Sequence, residues 1–334
     1  MNKFLLKPLA VVVLLSVGFS TAALAQGKKV SSICFSFQDL ETQFWVAAHD
    51  AIVASLTKDG IKVIERNANE DPNKQLQQVK DCITQKVDGI ITIPQDGASI
   101  IPVIKAANAA NIPIALFNRE AAKNNTAPAI TVIADNEAIS AETVEYMAQE
   151  AKKTNKKMTP LIMVGDLGDP NAVARKRGFD KVIAKYPELF NKPIEVPTKW
   201  DAQVALAGLK NAMQANPNVD FLFTSSDFMF PQIKSVLDAA GKWKKIGEPG
   251  HVILGGFDGD VGACQLIKDK YLETTGVQDV FFESDAAMNA VKKAVTDGVA
   301  KPKEVIFDKG FALTQENFDK KNQQMWGCTM KPKS

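Results

Sequence analysis

Short apolar runs, rich in Val, Ile, Leu and Phe, recur along the chain, separated by segments whose apolar residues fall three and four apart. As strands, the runs lie over 30–37, 61–65, 89–94, 113–117 and 130–134. More follow over 160–165, 194–198, 220–224, 252–257, 271–277 and 304–307. The segments between them read as amphipathic helices. In 73–86, for example, Leu76, Val79, Ile83 and the following Val87 keep helical spacing, with Gln and Lys between them. Nearly all-apolar strands alternating with helices form a mostly parallel sheet covered on both faces. Eleven strands overfill one small sheet, so the pattern predicts an α/β chain of two doubly wound, Rossmann-like parallel sheets, about five strands each.

In open sheets of this kind ligands gather at the carboxyl ends of the strands. The run 30–37 leads into Gln38-Asp39-Leu40-Glu41 and then Phe44-Trp45, and the run 113–117 leads into Asn118-Arg119. After 160–165 come Asp169-Pro170-Asn171 and Arg175, and after 194–198 come Trp200-Asp201. The later runs end in Ser225-Ser226-Asp227, Phe257-Asp258-Gly259 and Val277-Gln278-Asp279. Polar groups and aromatics at the same end of successive strands predict a concave site.

The N-terminal end stands apart from this pattern. Lys3 and Lys7 precede an apolar run from Leu9 to Val17, and Ala23-Leu24-Ala25 follows. A basic start, a short apolar core and a small-residue cleavage site describe a secretory leader over residues 1–25, not a membrane span. They predict an exported, soluble chain starting near Gln26, with no cysteine there to carry a lipid. Removing the leader's two lysines leaves 38 basic against 38 acidic side chains. Charge therefore supplies no reason to seek nucleic acid or to insert into an anionic membrane. A chain of 334 residues exceeds the usual single core and predicts roughly two domains. Cys34, Cys82, Cys264 and Cys328 are too widely spaced for zinc ligation. In an oxidising compartment they permit two disulfides, 34–82 and 264–328 by preference, while buried free thiols remain the other reading. The two histidines, His49 and His251, form no cluster with carboxylates or thiols, and no nucleophile elbow or phosphate loop is present. These absences favour binding over catalysis and predict no metal and no cofactor.

In this order, the residues at the strand ends resemble the periplasmic sugar-binding proteins of ATP-driven importers, in the ribose- and galactose-binding branch. The resemblance rests on Phe44-Trp45, Asn118-Arg119, Arg175 ahead of Gly178-Phe179, Trp200-Asp201, Ser226-Asp227, the turn Gly256-Phe257-Asp258-Gly259, and Gln278. It implies a type I periplasmic binding protein with two lobes, 28–134 plus 279–308 and 135–278 plus 309–334. A multi-strand hinge would join them near Ala134-Asp135, Gln278-Asp279 and Asp308-Lys309. It further implies that the lobes close on a monosaccharide or related polyol and deliver it to an ABC permease in the inner membrane. Arg119, Arg175 and Asp258 are then the ionised hydrogen-bonding core, and Phe44, Trp45, Trp200 and Phe257 the walls. Asn118, Ser226 and Gln278 are neutral partners, with Gln38, Asp169 and Asn171 beside them. Asp227 equally suits a helix cap, and Arg177 a solvated position. The family's ribose pattern has Asp where this chain has Asn118 and Asn where it has Ser226, which leaves the ligand's identity and charge open. A sensor subunit that presents its closed form to a chemoreceptor or membrane kinase is the alternative. A repressor of the same fold is set aside, because the leader stands where its helix-turn-helix would.

Overall fold

Residues 28–330 are described by a computed structural model, and the expected leader over residues 1–25 lies outside them. The apolar runs of the first part become strands Ser32–Phe37 (β1), Lys62–Asn67 (β2), Gly89–Thr92 (β3), Ile114–Phe117 (β4) and Ile130–Ala134 (β5). Pro160–Val164 (β6), Ile194–Pro197 (β7), Phe221–Thr224 (β8), Ile253–Asp258 (β9) and Thr274–Val277 (β10) follow, then Glu304–Asp308 (β11) and Phe311–Thr314 (β12). They form two six-stranded sheets, ordered β11-β5-β4-β3-β1-β2 and β12-β10-β9-β8-β6-β7. Among these strands every pairing is parallel except that of β10 with β12. The all-apolar character of the runs follows from this: β3, β4 and β8 are buried at every position, as a parallel strand covered on both faces must be.

The apolar pattern predicts eleven strands, and the structure adds β12. Only Lys309 and Gly310 separate its four residues from β11, so the two read as one run although they belong to different sheets. The chain therefore passes between the sheets after β5, after β10 and after β11. The crossing segments lie side by side. Asp135 N–H donates to the Asp308 carbonyl at 2.8 Å, and Asp279 N–H donates to the Asp308 carboxylate at 2.5 Å.

The longer helices are Gln43–Lys58 (α1), Pro72–Thr84 (α2), Ile100–Ala109 (α3), Asn136–Lys153 (α4) and Pro170–Lys185 (α5). Ala202–Ala215 (α6), Phe230–Ala239 (α7), Val261–Lys268 (α8) and Val280–Thr296 (α9) follow, and the short Phe318–Lys321 (α10) and Trp326–Thr329 (α11) come last. The helix expected over 73–86 appears as α2, with Pro72 in its first turn. Asp71, Asp135, Asp169, Asp201, Asp260 and Asp279 each accept a first-turn backbone N–H. A carboxylate there satisfies orphan donors and complements the helix dipole. Because each of these helices starts where a strand ends, the caps gather along the carboxyl edges of the two sheets.

Apolar layers cover both faces of each sheet. Val79, Ile90, Ile104 and Leu116 pack beneath α2 and α3, and Met147, Phe179, Val182 and Phe223 beneath α4 and α5. The remaining faces, against α1 and α9 and against α6 to α8, share a third cluster. Each large side chain buried this way contributes about 1.5–3 kcal/mol. The α4–α5 contact brings the helices very close, since a Cβ on Gly178 would stand 2.5 Å from the Glu137 carbonyl oxygen.

Both preferred disulfides are present. Cys34–Cys82 joins β1 to α2, and Cys264–Cys328 joins α8 to α11. Each lies within the elements around one sheet and closes a long loop in the unfolded chain. Replacing Cys264 and Cys328 together by serine is expected to lower the unfolding free energy by about 2–4 kcal/mol, read from urea denaturation with the wild type as reference.

Candidate ligand-binding cleft

The carboxyl edges of the two sheets face one another across a cavity of about 770 Å³. On one side Gln38 extends β1, Phe44 and Trp45 open α1, and Asn118 and Arg119 follow β4. On the other, Asp169, Asn171 and Arg175 occupy the cap and first turns of α5, and Trp200 precedes α6. Ser226 follows β8, Asp258 ends β9, and Gln278 follows β10. These twelve of the thirteen expected site residues line the cavity.

Phe257, expected in the wall, is the exception. Successive strand residues point to opposite faces, so with Asp258 turned to the cavity Phe257 enters the core beneath α4 and α5. It still supports the site from behind, for the guanidinium carbon of Arg175 sits 3.8 Å from its ring centroid. Arg177 is exposed and paired with Glu137 at 2.8 Å. Asp227 is buried and accepts the N–H groups of Gly259 and Asp260, at 2.7 and 3.2 Å, and the Thr275 hydroxyl at 2.8 Å.

Two buried arginines organise the cavity. Arg119 Nη1 donates to Gln38 Oε1 and to the carbonyls of Pro94 and Gln95, at 3.0 and 3.1 Å. Its Nε lies 2.6 Å from Asp169 Oδ2, an ion pair that spans the cleft. The same carboxylate oxygen accepts Trp200 Nε1–H at 3.0 Å, which fixes the indole as a wall. Gly165 makes room for it, because a Cβ there would stand 2.1 Å from the Trp200 ring. Trp45 lies under Arg119, 5.2 Å from the guanidinium carbon.

Arg175 Nε donates to Asn136 Oδ1 at 2.7 Å, and its Nη1 to the Ser225 carbonyl at 2.7 Å and to Asp258 Oδ1 at 3.0 Å. Asp258 also accepts from the Ser226 hydroxyl and from Gln278 Nε2, the latter at 2.8 Å. Asn118 connects the two sides. Its Nδ2 donates to Gln278 Oε1 and Glu283 Oε2, both at 2.9 Å, and its Oδ1 accepts from Asn171 at 3.0 Å. Asn118, Trp200 and Asp258 all hold positive φ, at 65°, 59° and 117°. Each such conformation costs about 1–3 kcal/mol in a residue other than glycine, and it aims these side chains where regular structure would not.

Burial dominates the titration of this region. It pushes the Arg175 guanidinium down, with Asp258 and Asp169 acting against the shift. It pushes Asp258 up, with Arg175 opposing, and raises Asp227 and Glu283 well above the ordinary carboxylate range, next to Asp260 and Asp308 respectively. Asn136 and Glu283, which orient Arg175 and Asn118, escape sequence reasoning. Asn136 could be suspected from its place just after β5, but Glu283 looks like any first-turn acid of a helix. Glu70 was unforeseen at the mouth: burial raises it, and Asp39, Glu41 and Asp201, already marked at strand ends, add to the shift.

Residues 33–298 match the family described as the periplasmic binding protein domain. The chain belongs to this family. Among similar periplasmic binding proteins, the ribose import binding protein of Bacillus subtilis is 28% identical over 75% of this chain and 77% of its own length. The xylitol-binding protein of Mycolicibacterium smegmatis is 29% identical over 78% of this chain and 71% of its own. An ABC transporter periplasmic solute-binding protein of Actinobacillus succinogenes, solved with bound D-allose, superposes with a TM-score of 0.77. At 22% identity, covering 86% of this chain and 99% of that one, it supports the fold. Among the described residues no helix of this periplasmic binding protein is long and apolar enough to cross a membrane.

Asp260, next to the site, offers a pH test. Burial and the nearby Asp258 raise its carboxyl from 3.8 to about 6, while its Oδ1 caps α8 through Ala263 N–H at 2.7 Å. Between those values the folded chain holds a proton that the unfolded chain has released. Stability present below this window is therefore lost as the pH rises through about 6. Asp260→Asn keeps a capping oxygen without the titration. It is expected to be more stable than the wild type by about 3 kcal/mol at pH 7, with the advantage gone near pH 4, in denaturant unfolding at the two pH values.

Proposed function

We propose that this periplasmic binding protein is exported to the periplasm, captures a neutral monosaccharide or related polyol between two lobes, and delivers it to an ABC permease. The observation that carries the reading is the cavity itself, enclosed by the carboxyl edges of two sheets. Its aromatic walls flank a hydrogen-bonding core built on Arg119, Arg175 and Asp258. Hydroxyl groups suit such a site, because each can donate to a carboxylate and accept from a guanidinium. Each arginine already faces a carboxylate, Arg119 at 2.6 Å and Arg175 at 3.0 Å. The exposed Lys199 shares the lining with Asp39, Glu41, Glu70, Asp96, Asp166 and Asp201, so the cavity is net acidic and disfavours an anionic ligand. Ribose and xylitol in the names of the relatives, and D-allose in the superposed structure, support the same ligand class.

The lobes in this reading are 28–134 plus 279–308 and 135–278 plus 309–334, the last four residues lying outside those described. The sheet membership of β11 and β12 supports the division. A ligand that touches both lobes favours the closed form by its differential affinity, and the crossing segments at Asp135, Asp279 and Asp308 serve as the hinge. The protein binds and releases its ligand unchanged. The relatives are named for import, which favours a permease partner over a chemoreceptor.

A thermal-shift screen of the exported form against aldoses, sugar alcohols, inositols and sugar acids tests the reading. A neutral ligand at a hundred times its dissociation constant is expected to stabilise the fold by about 2.7 kcal/mol. Response to sugar acids alone would overturn the neutral assignment, and silence from ligand-free folded protein would overturn the polyol reading. With the best hit, Arg175→Ala is expected to weaken binding by about 2–4 kcal/mol in isothermal titration. An unchanged dissociation constant removes Arg175 from the site.

A further inference from the structure

Asp258 anchors the polar side of the cavity from a backbone φ of 117°, so its place depends on what holds it. Its carboxylate is held by Arg175, Ser226 and Gln278. Its main chain is held from behind by the C-terminal segment. Trp326 Nε1–H donates to the Asp258 carbonyl at 2.8 Å, and Gly327 N–H donates to the Gly259 carbonyl at 3.1 Å. Only glycine permits that approach, since a Cβ at 327 would stand 2.2 Å from the Asp260 carbonyl carbon. Cys328 then fastens the segment to Cys264 in α8, the helix into which the Asp258 turn leads.

Trp326 is 2% exposed and does not line the ligand cavity. It borders a separate groove of about 450 Å³ at the crossing segments, together with Asp279, Asp308 and Phe311. Its ring meets that of Phe44 edge-on at a centroid distance of 6.0 Å. One indole thus touches both the turn that carries Asp258 and a cavity wall supplied from beside the other sheet.

The geometry points to Trp326 as a positioning residue for ligand capture: it fixes the Asp258 turn from behind and sets affinity without touching the ligand. This rests on the reading of the cavity as a polyol site. Without the indole N–H, the buried Asp258 carbonyl loses its donor and the strained turn loses a restraint. A site competent for only part of the time binds more weakly by that fraction, because ordering it opposes association.

Trp326→Phe keeps a ring against Phe44 and removes the N–H. In the ligand-free protein, hydrogen–deuterium exchange is expected to accelerate in peptides covering 256–262 and to stay unchanged in β3 and β4. In titrations with D-ribose, D-allose, xylitol and myo-inositol, the tightest probe is expected to bind about tenfold more weakly, the ordinary consequence of losing a buried hydrogen bond. In an Asp258→Asn background the same substitution is expected to add little, since both act through one group. Unchanged exchange over 256–262, an unchanged dissociation constant, or full additivity in the double variant overturns the proposal. If the wild type binds none of the four probes, the polyol reading fails by itself. The exchange measurement then decides the positioning role alone, acceleration supporting it and no change overturning it. Should Trp326→Phe not fold, the Cys264→Ser, Cys328→Ser pair releases the same segment, and accelerated exchange over 256–262 is again the supporting result.

Discussion

Two guanidinium groups buried between two sheets impose the constraint on which the rest of the molecule depends. Removing an ion from water costs several kcal/mol even after the protein relaxes, and a carboxylate alone seldom offsets that. Each arginine is accordingly met by a carboxylate and by neutral acceptors: Gln38 and two carbonyls for Arg119, Asn136 and the Ser225 carbonyl for Arg175. The two pairs differ in placement. Arg175 and Asp258 sit beside the same sheet, whereas Arg119 and Asp169 face one another across the cleft. Separating the sides would return the second pair to water, where its loss is small, while the first would stay assembled. A polar floor with one separable ion pair suits the opening and closing proposed above, which then need not rebuild the site.

The floor is also where the backbone departs from regular geometry. Asn118, Trp200 and Asp258 sit at the ends of strands or loops in left-handed conformations, and each is restrained by bonds from distant parts of the chain. Trp200 is held through its indole N–H by Asp169, and Asn118 by Gln278, Glu283 and Asn171. The strain is local and the restraint is tertiary. Trp200 therefore acquires its geometry from elements around one sheet, whereas Asn118 does so only when both sheets are in place.

This separation explains what could be read in the sequence. The strands were legible because burial on both faces leaves a continuous apolar run, and the site was legible because ligands collect at strand ends, where Asn118-Arg119 or Trp200 interrupt that run. Arg175 could be told from Arg177 through its spacing to Gly178-Phe179. Phe257 was misplaced because its neighbour Asp258 turns to the cavity and strand alternation sends the next ring inward. β12 was hidden because Lys309-Gly310 is too short a break to show that the chain changes sheets. Glu283 and Trp326 were invisible for a shared reason: each acts on a partner far along the chain, and no local pattern records such a contact, whereas Asn136 was marked only by its place just after β5.

The crossing segments complete the argument. Asp308 accepts the N–H of Asp279 on its carboxylate and the N–H of Asp135 on its carbonyl, so all three passages between the sheets meet at one residue. Glu283, one turn beyond Asp279 in α9, carries the connection onward to Asn118 and so to the cavity. Burial and the proximity of Asp308 disfavour its charged form. A neutral carboxyl at that point can hold Asn118 without adding an anion beside Asp308. Three segments pinned together suit the hinge proposed above, and the contacts that cross the cleft include Arg119 with Asp169 and Asn118 with Asn171 and Gln278. In the proposed closure, a ligand that fills the space between these groups adds contacts to both sides and so favours the closed form by its differential affinity.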